Sequence, residues 1–82
     1  MFYVYFLKSL KNNDLYVGSC ECIDERLKRH NEGKVKSTKG YRPWKLVGLE
    51  KYETRSEAVL KERFFKTGQQ KEILKKKYEK TW

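Results

Sequence analysis

The chain has 82 residues, which fits one domain and leaves no room for a separate specificity domain. An aromatic content of 15% argues against disorder, and a formal net charge of +9 favours phosphate-rich partners. The two cysteines are too few for a secreted disulfide framework, and no apolar run approaches the roughly 20 residues that span a bilayer. The sequence therefore predicts a cytoplasmic protein with reduced thiols and no membrane partner.

The first third of the chain predicts a β-hairpin followed by a helix. FYVYFL at 2–7 is typical of a strand buried on both faces, and LYVG at 15–18 is typical of a second strand. KNND at 11–14 supplies turn residues between them. From residue 23 to about 32 the spacing of apolar residues becomes helical, and Gly33 is a suitable residue to end that helix.

The remainder predicts a loop, a strand and two helices. A basic loop at 34–43 leads into WKLVGLEKY at 44–52, which reads as a strand that Gly48 weakens. Thr54-x-x-Glu57 forms a capping box that opens a helix over about 55–67, and a last helix covers 69–78. The order β-β-α-β-α-α predicts an α+β fold with a small three-stranded antiparallel sheet flanked by helices. One domain would cover residues 1–82.

The two C-terminal helices carry more than one apolar side. In the first, Glu62 falls inside an arc bounded by Ala58, Val59 and Phe65, at 100° per residue. Leu60 and Phe64 form a second apolar side, so we expect this helix to contact two neighbours. We expect the last helix to pack through Ile73, Leu74 and Tyr78, and the end of the chain either to fray or to dock through Trp82.

Basic residues dominate the segment 26–45, where the single acidic residue is Glu32. A basic tract in the middle of a folded chain favours contacts with a phosphate backbone, which position a nucleic acid without reading its sequence. The candidate nucleic-acid-binding residues are Lys28, Arg29, Lys34, Lys36, Lys39 and Arg42.

Several residues are candidates for chemistry, although each has an ordinary structural explanation. Strand tyrosines are usually core residues, a helical histidine is usually structural, and a helical glutamate followed four residues later by Lys66 forms a weak surface ion pair. Cys20, Cys22 and His30 offer too few ligands, too closely spaced, for a zinc site; the cysteines fit the turn between strand and helix, with Cys22 near the helix N-cap. The candidates taken together are Tyr5, Tyr16, Gly18, Arg26, His30 and Glu62.

This combination resembles the GIY-YIG nuclease domain over about residues 2–75. Tyr3-Val4-Tyr5 corresponds to the GIY half of the motif and Tyr16-Val17-Gly18 to the YIG half. Tyr3 occupies the position of the glycine in GIY. Eleven positions separate the motif tyrosines, ten lead from the second tyrosine to Arg26, and four more lead to His30. The segments RLKRHNEGK and TRSEAVLKERFFKTG are similar to those of small single-domain members, a group related to the N-terminal nuclease domain of a DNA-repair excinuclease.

The resemblance implies a metal-dependent endonuclease that hydrolyses phosphodiester bonds, with DNA as the expected substrate in repair or structure processing. Glu62 would hold one Mg²⁺ or Mn²⁺ ion and Arg26 would bind the scissile phosphate. Tyr5 is the candidate general base, with help from the neighbouring Arg26, from a metal ion or from proton transfer to His30. Tyr16 would orient water or phosphate, and the two tyrosines could exchange roles. Gly18 would keep the site open. No organic cofactor is implied.

Two alternatives remain beside the enzyme. The first is a catalytically weak or inactive nucleic-acid-binding module of the same fold. The second is an accessory protein whose basic surface meets acidic protein partners. Ser19 and Cys20 stand where some relatives have lysine or tyrosine, and this departure bears on how efficiently the site would work. The sequence does not distinguish DNA from RNA as the substrate or a monomer from a dimer, and it does not define the substrate selectivity.

Overall fold

The computed structural model describes residues 1–79 and confirms the α+β fold and the predicted order of elements. The prediction that Trp82 docks lies outside the described residues. A three-residue 3₁₀ turn, Lys39–Tyr41, interrupts the basic loop. The strands and helices are β1 (Phe2–Ser9), β2 (Leu15–Cys20), α1 (Ile23–Asn31), β3 (Trp44–Tyr52), α2 (Arg55–Phe65) and α3 (Gly68–Tyr78).

The antiparallel sheet has the order β2-β1-β3, so β1 is the central strand and β2 is an edge strand. Because side chains alternate between the two faces of a strand, β1 contributes to two separate cores. On one face, which α1 covers, Tyr5 and Leu7 pack with Trp44 and with partly buried residues of α1. On the other face, apolar side chains of the strands pack against α2 and α3. The buried residues of this core are Val4, Phe6, Leu15 and Val17 from the strands, with Ala58 and Leu74 from the helices.

A β-bulge in β3 lies next to the glycine against which α3 packs. Phe6 pairs with Gly48, whereas the next residue of β1, Leu7, pairs with Leu46, so that Val47 is the extra residue. A Cβ atom at position 48 would collide with the hydroxyl of Tyr78 and lie 2.8 Å from a ring carbon of Phe6. Gly48 therefore permits close packing between strand and helix rather than merely weakening the strand.

The helix ends follow the sequence signals closely. Gly33, just past α1, has φ of +77°, the left-handed conformation that glycine adopts at little cost. The hydroxyl of Thr54 accepts a hydrogen bond from the backbone N–H of Glu57 at the start of α2. The hydroxyl of Thr67 accepts from the N–H of Gln70 in the same way, so α2 ends at Phe65 instead of running to residue 67.

The prediction that α2 contacts two neighbours is confirmed, since it packs on the sheet and also contacts α3, but Leu60, Phe64 and Ile73 are not buried in these contacts. Their exposed fractions are 64%, 46% and 52%. Helix α2 lies on the sheet through Ala58 and Phe65, the latter making an edge-to-face contact with Phe6 at 5.1 Å between ring centroids. Since one stripe of a helix can face the sheet, the second apolar stripe of α2 stays in solvent.

Lys8 is a polar group buried on the apolar face of β1, only 3% exposed. Its ammonium donates hydrogen bonds of 2.9 Å to the carbonyl oxygens of Tyr78 and Glu79 at the C-terminal end of α3. Carbonyl oxygens at this end of a helix lack intrahelical donors and carry the negative end of the helix dipole, so a buried lysine is well matched to them.

None of the helices in residues 1–79 has the length and hydropathy needed to span a bilayer.

Candidate active site

The strand register brings Tyr5 and Gly18 directly opposite each other on β1 and β2. The Tyr5 ring lies across Gly18, and a Cβ atom at that position would fall on the Tyr5 hydroxyl. Tyr16 projects from β2 on the same face as Tyr5, with 6.4 Å between the two ring centroids. Gly18 thus provides the space in which the Tyr5 hydroxyl sits.

His30 lies at the centre of the face under α1 and is fully buried, whereas the sequence pattern had placed it on a stripe beside Arg26. Its Nε2 atom is 3.0 Å from the Tyr5 hydroxyl oxygen. Its ring also packs against Tyr16, with a centroid distance of 5.1 Å. Its Nδ1 atom is 2.7 Å from the hydroxyl oxygen of Thr38. Helix α1 ends one residue later, so the basic loop can return Thr38 to the histidine.

Burial controls the protonation of this pair. Desolvation raises the pKa of Tyr5 far above the usual phenol range, against a smaller opposing effect of the nearby Arg26 guanidinium. Burial also lowers the pKa of His30, and the positive charge of Arg26 lowers it further. At neutral pH and without substrate, Tyr5 therefore keeps its proton and His30 is neutral.

Glu62 of α2 stands across the edge strand from the tyrosines. Burial acts to raise the pKa of its carboxyl, but hydrogen bonds from Lys66 and Ser19 outweigh burial and lower that pKa overall, so the group is ionised at neutral pH. The Ser19 hydroxyl donates to Oε1 at 2.5 Å, and Lys66 Nζ lies 2.7 Å from Oε2. The same ammonium lies 5.6 Å from the ring centroid of Tyr16. The ordinary i,i+4 ion pair is therefore present, and it joins Glu62 to the tyrosine side of the site.

Arg26 is exposed, and its side chain forms no hydrogen bond or ion pair within residues 1–79. It lines a cleft of about 670 Å³ together with Ser19 and Cys20 from the end of β2. Three of the predicted nucleic-acid-binding residues, Arg29, Lys34 and Lys36, line the same cleft. Tyr5, Tyr16, His30 and Glu62 do not line this cleft. Arg26 connects the two regions, because its charge acts on both Tyr5 and His30.

The other three predicted nucleic-acid-binding residues lie outside the lining of this cleft. Lys28 is exposed on α1, and Lys39 is exposed at the start of the 3₁₀ turn. The Arg42 guanidinium donates to the carbonyl oxygen of Lys39 at 3.0 Å and lies over Gly33. Arg42 therefore supports the loop that presents the other basic residues.

The donor set suits a hard cation that keeps most of its water ligands. The described part of the chain contains no cluster of three or more histidine, cysteine, aspartate or glutamate side chains that could hold a metal ion. Glu62 offers an ionised carboxylate with the Ser19 hydroxyl next to it, while Lys66 occupies the other oxygen. Mg²⁺ is commonly bound by one or two carboxylates and several waters, which this arrangement fits.

The cysteines occupy the positions that the sequence predicts. Cys20 is the last residue of β2, and Cys22 is the N-cap residue of α1. Both thiols are free and both residues line the cleft. Thr38 is the site residue that sequence reasoning missed, because a threonine in a polar loop carries no local signal of burial against a histidine.

Comparisons with known proteins found a matching family, curated relatives and a similar solved structure. The family described as GIY-YIG catalytic domain matches residues 1–80. A UPF0213 protein of Staphylococcus saprophyticus is 39% identical over 74 residues, which cover 89% of each chain. UPF0213 protein YazA of Bacillus subtilis is 36% identical over 84% of this chain and 73% of its own. The solution NMR structure of a UPF0213 protein from Bacillus halodurans has a TM-score of 0.54 and 35% identity, covering 90% of this chain and 82% of that one.

Proposed function

Since the chain belongs to the GIY-YIG catalytic domain family, we propose that it is a metal-dependent endonuclease that hydrolyses phosphodiester bonds in DNA. One observation carries the proposal. The Tyr5 hydroxyl and His30 Nε2 are 3.0 Å apart within a buried cluster, and the ionised Glu62 is tied to the edge of that cluster by Lys66. Paired proton-transfer groups and a single carboxylate are what a metal-assisted hydrolysis requires.

Arg26 binds the scissile phosphate. Its guanidinium is exposed beside the cleft and has no partner of its own within residues 1–79. A guanidinium forms paired hydrogen bonds with phosphate oxygens and stabilises the negative charge that develops on them during attack. Arg29, Lys34 and Lys36, along the same cleft, hold the neighbouring phosphates of the strand.

Tyr5 and His30 handle the proton of the attacking water. A phenol is a poor base at neutral pH, and burial makes Tyr5 a poorer one at rest. The adjacent His30 Nε2 gives the Tyr5 proton a place to go while the phenol oxygen receives a proton from water. Tyr16 is only half-buried, lies under the Lys66 ammonium, and orients water or phosphate at the edge of the site.

Glu62 is the residue that would hold Mg²⁺ or Mn²⁺, and a bound ion would supply charge stabilisation at the leaving 3′ oxygen. The carboxylate is kept ionised by its hydrogen bonds to Lys66 and Ser19. Ser19 fixes the orientation of Oε1, and Lys66 must share or release Oε2 for a cation to bind there.

Cleavage of plasmid DNA and of nicked, flapped, branched and plain duplex oligonucleotides, with and without Mg²⁺, tests the proposal. We expect Glu62→Ala to abolish cutting while DNA binding persists, and chelation of the metal to have the same effect. We expect Arg26→Ala to cost far more activity than the matched charge removal Lys36→Ala. A Glu62→Ala variant that cuts at the wild-type rate would refute the site assignment, and equal mild losses from the two charge removals would indicate generic electrostatics.

A second candidate is a nucleic-acid-binding module without useful turnover. Two observations favour it: Tyr5 is 1% exposed with a raised pKa, and Lys66 already pairs with Glu62. This candidate predicts salt-dependent binding through the basic cleft but no cleavage of any substrate in the panel. Binding without metal-dependent products at any pH between about 6 and 9 would select it over the enzyme.

A further inference from the structure

Thr38 is fully buried and lies in contact with His30, although it belongs to the basic loop and precedes the 3₁₀ turn. Its backbone is held from the other side, because the Trp44 indole N–H donates to the Thr38 carbonyl oxygen at 2.9 Å. Its hydroxyl oxygen lies 2.7 Å from His30 Nδ1 and 3.3 Å from the carbonyl oxygen of Val35. A buried hydroxyl with two such neighbours has a defined hydrogen-bond polarity.

The polarity follows from the buried Tyr5 hydroxyl, whose proton has His30 Nε2 as its acceptor among the described residues, and from the Val35 carbonyl, which can only accept. When the Thr38 hydroxyl donates to that carbonyl, its oxygen accepts the proton carried on His30 Nδ1. A neutral histidine with a proton on Nδ1 has a free lone pair on Nε2, and that lone pair then accepts the hydroxyl proton of Tyr5. The chain of hydrogen bonds runs from Tyr5 through His30 and Thr38 to Val35, and every buried polar side-chain atom in the described residues has a partner.

We propose that Thr38 is a positioning residue that fixes His30 in the Nδ1–H tautomer, so that Nε2 is the proton acceptor for Tyr5. The proposal rests on the proposed nuclease function for its kinetic consequence, but the tautomer itself is a property of the free protein. The opposite tautomer would place a proton on Nε2, facing the Tyr5 hydroxyl, and would leave no acceptor for the phenol proton.

Proton transfer along this chain of hydrogen bonds conserves atoms and charge. Water gives one proton to the Tyr5 oxygen while Tyr5 gives its own proton to His30 Nε2, and the resulting hydroxide attacks phosphorus. The bond from phosphorus to the 3′ oxygen breaks, and that oxygen takes a proton from solvent. His30, now an imidazolium, returns its Nε2 proton through Tyr5 to solvent. The Nδ1 proton stays hydrogen-bonded to Thr38 throughout, so the threonine orients the ring without exchanging a proton.

The tautomer can be measured directly because His30 is the single histidine of the chain. In ¹⁵N-labelled protein at about pH 8, two-dimensional ¹H–¹⁵N correlation through the ring carbon protons distinguishes a protonated from an unprotonated ring nitrogen. We expect Nδ1 to be protonated and Nε2 to be unprotonated. A spectrum of the Nε2–H tautomer in the wild-type protein would overturn the proposal without reference to any enzymatic assay.

Variants at position 38 test the positioning role. We expect Thr38→Val, which keeps the side-chain shape and the backbone bond to Trp44, to shift the ring towards the other tautomer. We expect it to lower kcat on the order of 10–100-fold with little change in KM, by analogy with partners that orient metal-ligating histidines. Thr38→Ser should restore both the tautomer and the rate, and Ser37→Ala, an exposed neighbour, should leave both unchanged.

The outcomes separate this proposal from the proposed function. An Nδ1–H wild type without DNA cleavage would support the positioning geometry and reject the nuclease. Cleavage that survives Thr38→Val at the wild-type kcat would reject the positioning role and leave the nuclease standing. Should Thr38→Val fail to fold, Thr38→Ser and the wild-type spectrum still decide the matter, since a serine variant with an unrestored tautomer contradicts the hydroxyl's role.

Discussion

The face of the sheet under α1 buries polar groups that hydrogen-bond to one another, whereas the face under α2 and α3 is closed mainly by apolar side chains. The first face holds Tyr5, His30 and Thr38, all of them 1% exposed or less. The second holds Phe6 and its neighbours, whose contribution is the removal of apolar area from water. Buried polar networks specify orientation, and apolar packing supplies stability, so the two faces divide these tasks between them.

The largest effect should come from breaking the apolar face. We expect Phe6→Ala to lower the free energy of unfolding by about 3–5 kcal/mol, because the side chain is 2% exposed and packs edge-to-face on Phe65. Denaturant titration measures this loss. Phe6→Leu is the matched control and should cost less than Phe6→Ala, because it leaves a smaller cavity. Equal losses from the two variants would mean that the cavity is not what matters there.

The next effect comes from filling the space that the polar face keeps open. We expect Gly18→Ala to cost about 1–3 kcal/mol, because its Cβ would overlap the Tyr5 hydroxyl and force the ring away from His30. Nuclease activity should fall with it. Gly40→Ala introduces a methyl group into open space, and we expect a change within about 0.5 kcal/mol. Equal denaturant midpoints for Gly18→Ala and Gly40→Ala would contradict this expectation.

Removing one hydroxyl from the polar face should have a smaller effect on stability. We expect Tyr5→Phe to cost about 1–2 kcal/mol, because His30 Nε2 loses its hydrogen-bond partner in a buried setting. The cleavage rate should fall far more than this modest loss in the free energy of unfolding would cause. Tyr3→Phe is the control, since the Tyr3 hydroxyl has no hydrogen bond within residues 1–79 and its removal should be close to neutral. Comparison of unfolding midpoints and cleavage rates of the two variants checks the expectation.

The smallest effect is a pH dependence of stability that belongs to the polar face alone. Burial lowers the pKa of His30 below its ordinary value of 6.5, so between that value and the lowered pKa the unfolded chain binds more protons than the native protein. The free energy of unfolding should therefore fall as pH drops below about 6.5. Above that pH, the contribution of neutral His30 to stability should be fully present. Unfolding midpoints from about pH 7.5 to 5.5 should decline in the wild type and less steeply in His30→Gln. Parallel declines would assign the slope to other groups.

The sequence predicts the fold well wherever a local signal decides it. The aromatic and β-branched run of β1, the left-handed glycine at position 33 and the Thr54 cap each specify structure within a few residues. Which apolar stripe of α2 faces the sheet depends on three-dimensional packing, and sequence spacing cannot choose between the side with Phe65 and the side with Leu60.

The site is predictable to the same extent and for the same reason. Tyr5 and Gly18 come together because both strands of the hairpin have strong local signals and their register places the two residues opposite each other. The burial of His30 and the return of Thr38 to it depend on the path of a loop with no regular pattern. The i,i+4 spacing of Arg26 and His30 predicted that both lie on one stripe of α1. In the structure Arg26 is exposed, whereas His30, one turn later, is buried in the core.

The buried Lys8 has a consequence for the shortest chain that can fold. Its ammonium ends at the carbonyl oxygens of Tyr78 and Glu79, so the central strand is joined to the last described turn of the polypeptide. A chain that stopped before Tyr78 would remove both acceptors and also the ring that fills the space over Gly48. We therefore expect truncation before residue 78 to destabilise the fold through a lysine seventy residues earlier in the sequence.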